Sequence, residues 1–427
     1  MPDNGLPDGW RKGTLADLAG LSPDNWDPAS GGSIRYLDIA SITGPGRVSP
    51  LPEIEAVAAP SRARRRGCKG DVLVSTVRPY LKAFTRLGDI PDNLVISTGF
   101  AVLHPREATD GAFLYQQVLT DDFQRHLEPR MTGTGYPAVR PKDVVEYPIL
   151  IPSPSERARI AEVLDAIDTA IEKTEAVIAA TEGLRSALLA ELLTHGVPGW
   201  HTEWKRVLGM GTLPACWDVV TIGTLGPPGG DAVLTGPFGA ELRSADFTKT
   251  GVPVLNIGNV QEDGLHTVRL DHVSDETARR LARYRVRTGD LLFSRMATVG
   301  RATTVPAEYD GALISYHLMR LRVDDGRASS DLIMYCIQGL RAVQRQIVDM
   351  SGGGTRLGVN STALRGLRVP MPPRPEQEQI VRLLSGIRHR SAEERAAIQR
   401  LSGLKRAVAD ALLSGRVRAE AGRALGA

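Results

Sequence analysis

The sequence is poor in cysteine, lysine and aromatic side chains, and no long apolar run interrupts it. Its three cysteines, Cys68, Cys216 and Cys336, stand far apart with no paired spacing, which argues against a disulfide framework and against a zinc site. No stretch approaches the ~18 consecutive apolar residues of a membrane span, and Met1-Pro-Asp-Asn-Gly has no signal-peptide pattern, so a cytoplasmic protein with no membrane partner is expected. The absence of a Walker A motif excludes nucleotide-driven translocation by this chain. There is no Asn-Pro-Pro-Tyr-type motif and no glycine-rich cofactor loop after a strand, which removes a methyltransferase site. The eight histidines form no ligand pattern. Glu203-Trp-Lys205 has the outline of a nuclease centre but lacks a supporting acid. The chain therefore reads as non-catalytic, with no cofactor and no metal of its own.

What is present is a duplication. Ile151-Pro-Ser-Pro-Ser-Glu-Arg-Ala-Arg-Ile-Ala-Glu-Val-Leu164 reappears as Met371-Pro-Pro-Arg-Pro-Glu-Gln-Glu-Gln-Ile-Val-Arg-Leu-Leu384, 220 positions later. Gly70-Asp-Val-Leu-Val-Ser75 answers Gly289-Asp-Leu-Leu-Phe-Ser294, and Trp10 answers Trp217. A chain of 427 residues has room for two or more domains, and two similar modules in one polypeptide suit a target with two halves.

Each half divides into a globular part and a long helix. Residues 1–152 and 197–372 are rich in glycine and proline and carry short β-like runs, among them Val72–Ser75, Phe100–Leu103, Leu291–Ser294 and Leu318–Val323. Helical stretches are expected at Phe113–Leu127 and Asp331–Val348, which makes the modules mixed α+β. Residues 153–196 and 373–427 then hold long helices with apolar residues on a 3–4 spacing. Ile160, Leu164, Ile167 and Ile171 fall on one seam, and Ile380, Leu384, Ile387 and Ile398 on the other. A narrow seam over about 40 residues predicts coiled-coil-like rods on the order of 60 Å, packed antiparallel. Ser155 is the expected N-cap of the first helix, while Gly196 and Gly415 mark the two ends. Gly183 and Gly403 match across the halves, which suggests a kink or a close helix–helix approach.

The basic residues are nearly all arginine: only eight of the 52 Lys and Arg are lysine, a bias that genomic base composition also explains. Two clusters are more telling. Arg62, Arg64, Arg65 and Arg66 with Lys69, and Arg279, Arg280, Arg283, Arg285 and Arg287, each precede the Gly-Asp run of their own half. One cluster reads as a solvated face; two at equivalent places point to a phosphate-contacting surface.

These patterns together resemble the specificity subunit of Type I restriction-modification systems. The residues that carry the resemblance are the two Gly-Asp-x-Leu-x-Ser runs, the loop Ser351-Gly-Gly-Gly-Thr-Arg356, and above all Pro372-Pro-Arg-Pro-Glu-Gln-Glu-Gln-Ile380 opening a long helix. The first copy departs from the pattern: Glu156-Arg-Ala-Arg159 replaces Glu-Gln-x-Gln, and Tyr136-Pro137 stands where Thr-Arg is usual. The resemblance implies two target-recognition domains, each reading one half of a split double-stranded DNA sequence, separated by two antiparallel helices. It implies modification subunits, two of them expected, that use S-adenosylmethionine. It also implies a restriction subunit that uses ATP and Mg. In each half the Gly-Asp strand runs into a basic loop, which nominates Arg78, Lys82, Arg295 and Arg301 for DNA contact. Thr134 and Tyr136, with Thr355 and Arg356, form the second candidate loop. Two alternatives remain at this level: the specificity subunit of a methyltransferase-only or other phage-defence system, and a structural adaptor that does not bind DNA.

Overall fold

The computed structural model describes residues 6–23, 25–351 and 358–419. The chain forms two compact units: residues 1–174 with 397–427 make unit 1, and residues 175–396 make unit 2. Both long helices are divided between the units. Helix α1 spans Pro154–Leu192 and α2 spans Arg374–Leu413, 39 and 40 residues, or about 60 Å each at 1.5 Å per residue.

Unit 1 is built on a four-stranded sheet of β1 (Ala19–Leu21), β2 (Val72–Ser75), β3 (Phe84–Arg86) and β4 (Phe100–Pro105), in the order β1-β4-β2-β3. Unit 2 repeats it with β5 (Val233–Thr235), β6 (Leu291–Ser294), β7 (Ala302–Thr304) and β8 (Leu318–Leu321), in the order β5-β8-β6-β7. The registers correspond, with Val72 opposite Leu103 and Leu291 opposite Leu321. Strands β2 and β6 begin the same way. Gly70 and Gly289 adopt positive φ of 90° and 84°, and the following aspartate accepts a backbone N–H from three residues earlier, Cys68 at 2.8 Å and Arg287 at 2.7 Å. The four residues after each Asp are buried on both faces, which is why these runs do not alternate. A second sheet in each unit contains a parallel pair, Ser33–Leu37 with Leu94–Ser97 and Val252–Leu255 with Leu313–Ile314.

The two expected intermediate helices are each broken in two. The first divides into Asp110–Val118 and Asp121–Leu127, where the Thr120 hydroxyl accepts the Phe123 N–H; the second divides into Ser330–Gly339 and Arg341–Ser351. Strands Pro148–Ile151 and Arg368–Met371 lead into α1 and α2. Ser153, not Ser155, caps α1: its hydroxyl accepts the Glu156 N–H at 3.3 Å, and Pro154 takes the first helical position, where no donor is needed.

The helices pack antiparallel within each unit. Lys405 Nζ lies 2.6 Å from Asp168 in unit 1, and Arg395 lies 3.1 Å from Glu182 in unit 2. Seam burial is uneven. Ile160 and Leu164 join Leu412 and Leu413 in the core of unit 1, and Ile380 and Leu384 join Leu189 and Leu192 in that of unit 2. Ile167, Ile171, Ile387 and Ile398 are only half-buried. Module elements enclose the helix ends, whereas a lone helix partner shields one flank only.

A matched clasp fixes each helix start. The Trp10 indole donates to Glu156 at 2.9 Å and the Trp217 indole to Glu376 at 2.7 Å. Glu156 also takes both Arg418 donors, at 2.7 and 3.0 Å, and Glu376 takes the Val197 N–H at 3.0 Å and His201 Nε2 at 2.6 Å. Burial disfavours the Glu156 carboxylate, but the Arg418 and Trp10 hydrogen bonds outweigh it and hold Glu156 below the usual carboxylate range. Thus the segment leaving one helix is bound to the start of the other. Gly196, at φ 75°, is required there, because a Cβ would collide with Glu376 and His201.

Gly183 and Gly403 mark no close approach: a Cβ at either would meet nothing within 4 Å. Gly183→Ala and Gly403→Ala should therefore each raise stability by about 0.5–1 kcal/mol, read as a higher denaturant midpoint. A lower midpoint would show that the backbone needs glycine at these places.

Candidate nucleic-acid interface

In unit 1, β2 ends at Ser75 and its loop is stapled to a second one. Val77 bridges Ala138, the Arg78 N–H donates to Pro137 O at 2.7 Å, and the Val139 N–H donates to Thr76 O at 2.9 Å. The staple holds Arg78 at φ 48°, a left-handed conformation that costs a non-glycine residue on the order of 1 kcal/mol or more. Its guanidinium lies 4.4 Å from the Tyr136 ring centroid and donates to Gly135 O at 3.0 Å. Tyr136 is 72% exposed and Thr134 is exposed beside it. Arg78, Thr134 and Tyr136 thus come together on one outward surface. Lys82 does not join them. Its Nζ pairs with Asp121 at 3.1 Å and donates to Leu119 O at 3.3 Å, closing the break between two helices.

Unit 2 repeats the staple with different side chains. Met296 bridges Gly358, the Val359 N–H donates to Arg295 O at 2.9 Å, and Ala297 takes the left-handed position at φ 56°. Arg295 therefore stands where unit 1 has Thr76. Its Nε donates to Val359 O at 3.2 Å, its Nη1 to Tyr316 O at 3.3 Å, and its guanidinium lies 5.9 Å from the Phe238 ring. Phe238 and Tyr316 are 56% and 39% exposed, and the Tyr316 and His317 rings lie 3.7 Å apart. Burial, reinforced by the Arg295 charge, depresses His317 below the usual imidazole range, which favours a neutral ring at neutral pH. Thr355 and Arg356 fall outside the described residues. Arg301 lines a cavity of about 630 Å³ with Glu182, Arg185, Asp263, Arg388 and Arg395.

Sequence reasoning missed Phe238, Tyr316 and His317. The only available signal was the scarcity of aromatics, 5% of the chain, since periodicity says nothing about exposed rings in loops. The two arginine clusters are not equivalent surfaces. The first lies on strand Ala63–Arg66; the second lies on helix Asp275–Arg280 and the turns after it. Several members already have partners within their own unit: Arg280 pairs with Asp246 at 3.1 Å, Arg285 donates to Gly311 O at 3.1 Å, and Lys69 pairs with Asp89 at 2.7 Å. Arg66 and Arg285 hold corresponding places, opposite Val95 and Leu313.

The family described as Type I restriction modification DNA specificity domain matches residues 239–401. The putative type I restriction enzyme MjaX specificity subunit of Methanocaldococcus jannaschii is 25% identical over 146 residues, which are 32% of this chain and 33% of that relative. The match thus spans a third of the relative's length. Among solved structures, the Type-I restriction-modification system S subunit from M. genitalium superposes with a TM-score of 0.61 at 14% identity, covering 97% of this chain and 98% of that one. A chain from work on complex assembly and conformational transition of the type I R-M system gives a TM-score of 0.56 at 24% identity, covering 96% and 99%. At these identities the structures establish a shared fold. Among the described residues no helix is long and apolar enough to cross a membrane.

Proposed function

We infer that the chain belongs to the specificity-subunit family of Type I restriction-modification systems, and we propose that it reads a bipartite, asymmetric DNA sequence, one half with each unit. The observation that carries this reading is the repeated staple. In both units a loop leaving the central strand is pinned to a second loop, and an arginine stands beside an exposed aromatic ring: Arg78 on Tyr136, Arg295 near Phe238. Arginine suits both guanine edges and phosphates, and a rigid loop avoids ordering costs on binding. The unlike side chains on like backbones suit two different half-sites. Catalysis belongs, in this reading, to partners: two modification subunits using S-adenosylmethionine, and a restriction subunit using ATP and Mg. The chain alone is expected to show no methylation, ATPase or cleavage.

The test is binding to a duplex carrying the target, in complex with a modification partner, across a salt series. If Arg295 reads a base, Arg295→Ala weakens cognate binding by about 1–3 kcal/mol and relaxes one position of one half-site. If it holds a phosphate, affinity falls evenly across sequences and the salt slope drops by about one unit. An unchanged affinity and slope would remove Arg295 from the interface, and salt-independent or absent DNA binding would favour the adaptor reading.

A further inference from the structure

We propose that unit 1 carries a site for one divalent metal of the zinc class, formed by Cys68 Sγ, a carboxylate oxygen of Asp71 and a ring nitrogen of His104. One ligand atom from each of the three lies within 4.8 Å of the others. Asp71 Oδ2 accepts the Cys68 N–H at 2.8 Å, and Asp71 Oδ1 lies 2.7 Å from His104 Nδ1. Two strands supply the groups: Cys68 and Asp71 close the turn into β2, and His104 lies near the end of β4, one residue beyond the Val72–Leu103 pair.

The duplication supplies an internal control. By register, Asp71 corresponds to Asp290, Cys68 to Arg287 and His104 to Arg322. In unit 2, Arg322 clamps Asp290 with two donors, at 2.7 Å and 2.5 Å, and the buried carboxylate is neutralised by a guanidinium. Unit 1 has the same carboxylate, buried to 1% exposure, but Cys68 and His104 stand at the two arginine positions. Both are residue types that ligate metal, and the two converge on one carboxylate. A neutral imidazole beside Asp71 does not balance its charge as the guanidinium balances Asp290 in unit 2, whereas a metal ion held by all three groups does. A thiolate, an imidazole and one carboxylate favour zinc over the hard cations, and three protein ligands leave one position for water. The turn is held rigidly, since helix Asp110–Val118 packs so closely on it that a Cβ at Gly111 would come within 2.5 Å of Gly70 O. Binding of the metal by the Cys68 thiolate releases the thiol proton to solvent, and the neutral His104 ring ligates through one nitrogen while keeping its proton on the other. The site lies at the entry of β2, and the stapled loop leaves the other end of that strand. Its role is therefore to brace the sheet rather than to touch the target. Cysteine spacing alone gives no hint of it, because a single cysteine serves and the histidine comes from a different strand.

The test uses the full-length chain, reduced and stripped with chelator, then titrated with Co²⁺ and in parallel with Zn²⁺. One equivalent of Co²⁺ should produce a thiolate-to-cobalt absorption band, and one equivalent of Zn²⁺ should abolish it and raise the melting temperature. Cys68→Ser and His104→Arg should each lower affinity by about tenfold or more. His104→Arg installs the pairing that unit 2 already uses, so it keeps the fold while removing a ligand. Cys216→Ser is the control, because Cys216 Sγ lies 3.7 Å from His201 Nδ1, and it should leave the titration unchanged. Absence of the band, its persistence in both unit 1 variants, or its loss in Cys216→Ser would overturn the proposal.

Discussion

Replacing Arg157 with Gln should destabilise the protein by about 3–5 kcal/mol, and adding Asp110→Ser should restore most of that loss. Arg157 and Asp110 form a buried ion pair, Nε to Oδ1 at 2.8 Å, with side chains 7% and 2% exposed. Arg157 Nη1 also donates to Pro152 O at 3.0 Å. In unit 2 the corresponding residue is Gln377, which donates to Pro372 O at 2.9 Å and accepts the Ser329 N–H at 3.0 Å. There Ser330 occupies the first helical position that Asp110 holds in unit 1. The departure of the first copy from Glu-Gln-x-Gln is thus a coupled exchange, Arg with Asp for Gln with Ser. Removing the arginine alone strands a carboxylate in the interior, whereas the double replacement reproduces the neutral arrangement. Burial already holds Asp110 above the usual carboxylate range, against the pull of Arg157. In Arg157→Gln the folded state then keeps the proton more tightly than the unfolded chain does. Stability of the variant should accordingly be best below about pH 4, fall as pH rises past the ordinary aspartate value, and level off above the raised one. A double-mutant cycle by denaturant unfolding at two pH values measures all of this. A coupling energy near zero would show that the two residues do not act as a pair.

Exchange of residues 197–372 for the corresponding module of a relative should replace one half of the recognised sequence and leave the other half and the gap intact. Each unit has its own central sheet, staple and basic–aromatic pair, and the two cores are separate clusters of buried side chains. The junctions suit the exchange. The chain enters through Gly196 and leaves through strand Arg368–Met371, and Glu376, which stays behind, needs a tryptophan and a histidine in the incoming module to remake its 2.7 and 2.6 Å bonds. Methylome sequencing of a host carrying the chimera with its modification partner reads out both half-sites. Altered recognition in both halves would mean that the modules do not read independently, and the two-reader model would fail.

The sequence by itself determined the duplication, the two long helices and the glycines that stop them, the Gly-Asp entry to each central strand, and the mixed α+β character of the modules. All of these are written in local chemistry. A glycine that must turn left-handed, a proline that ends a strand and starts a helix, and a buried run of four apolar residues each act on their own neighbours. Repetition across the halves also nominated the Arg78 loop and the Tyr136 loop, but as two separate candidates. Only the tertiary structure decided which side chains meet. Lys82 and Arg301 had the same sequence credentials as Arg78 and Arg295, yet strand ends and helix breaks turned Lys82 to Asp121 and Arg301 to a cavity of mixed charge. The seam looked uniform in the sequence, but enclosure by the modules buries Ile160 and Ile380 and leaves Ile167 and Ile387 half-covered. Arg157 finds Asp110, and His104 finds Asp71, through pairings that no periodicity announces. The physical reason is range: backbone preference is fixed within a few residues, whereas a contact between distant side chains depends on strand register, where a shift of one position sends every side chain to the opposite face.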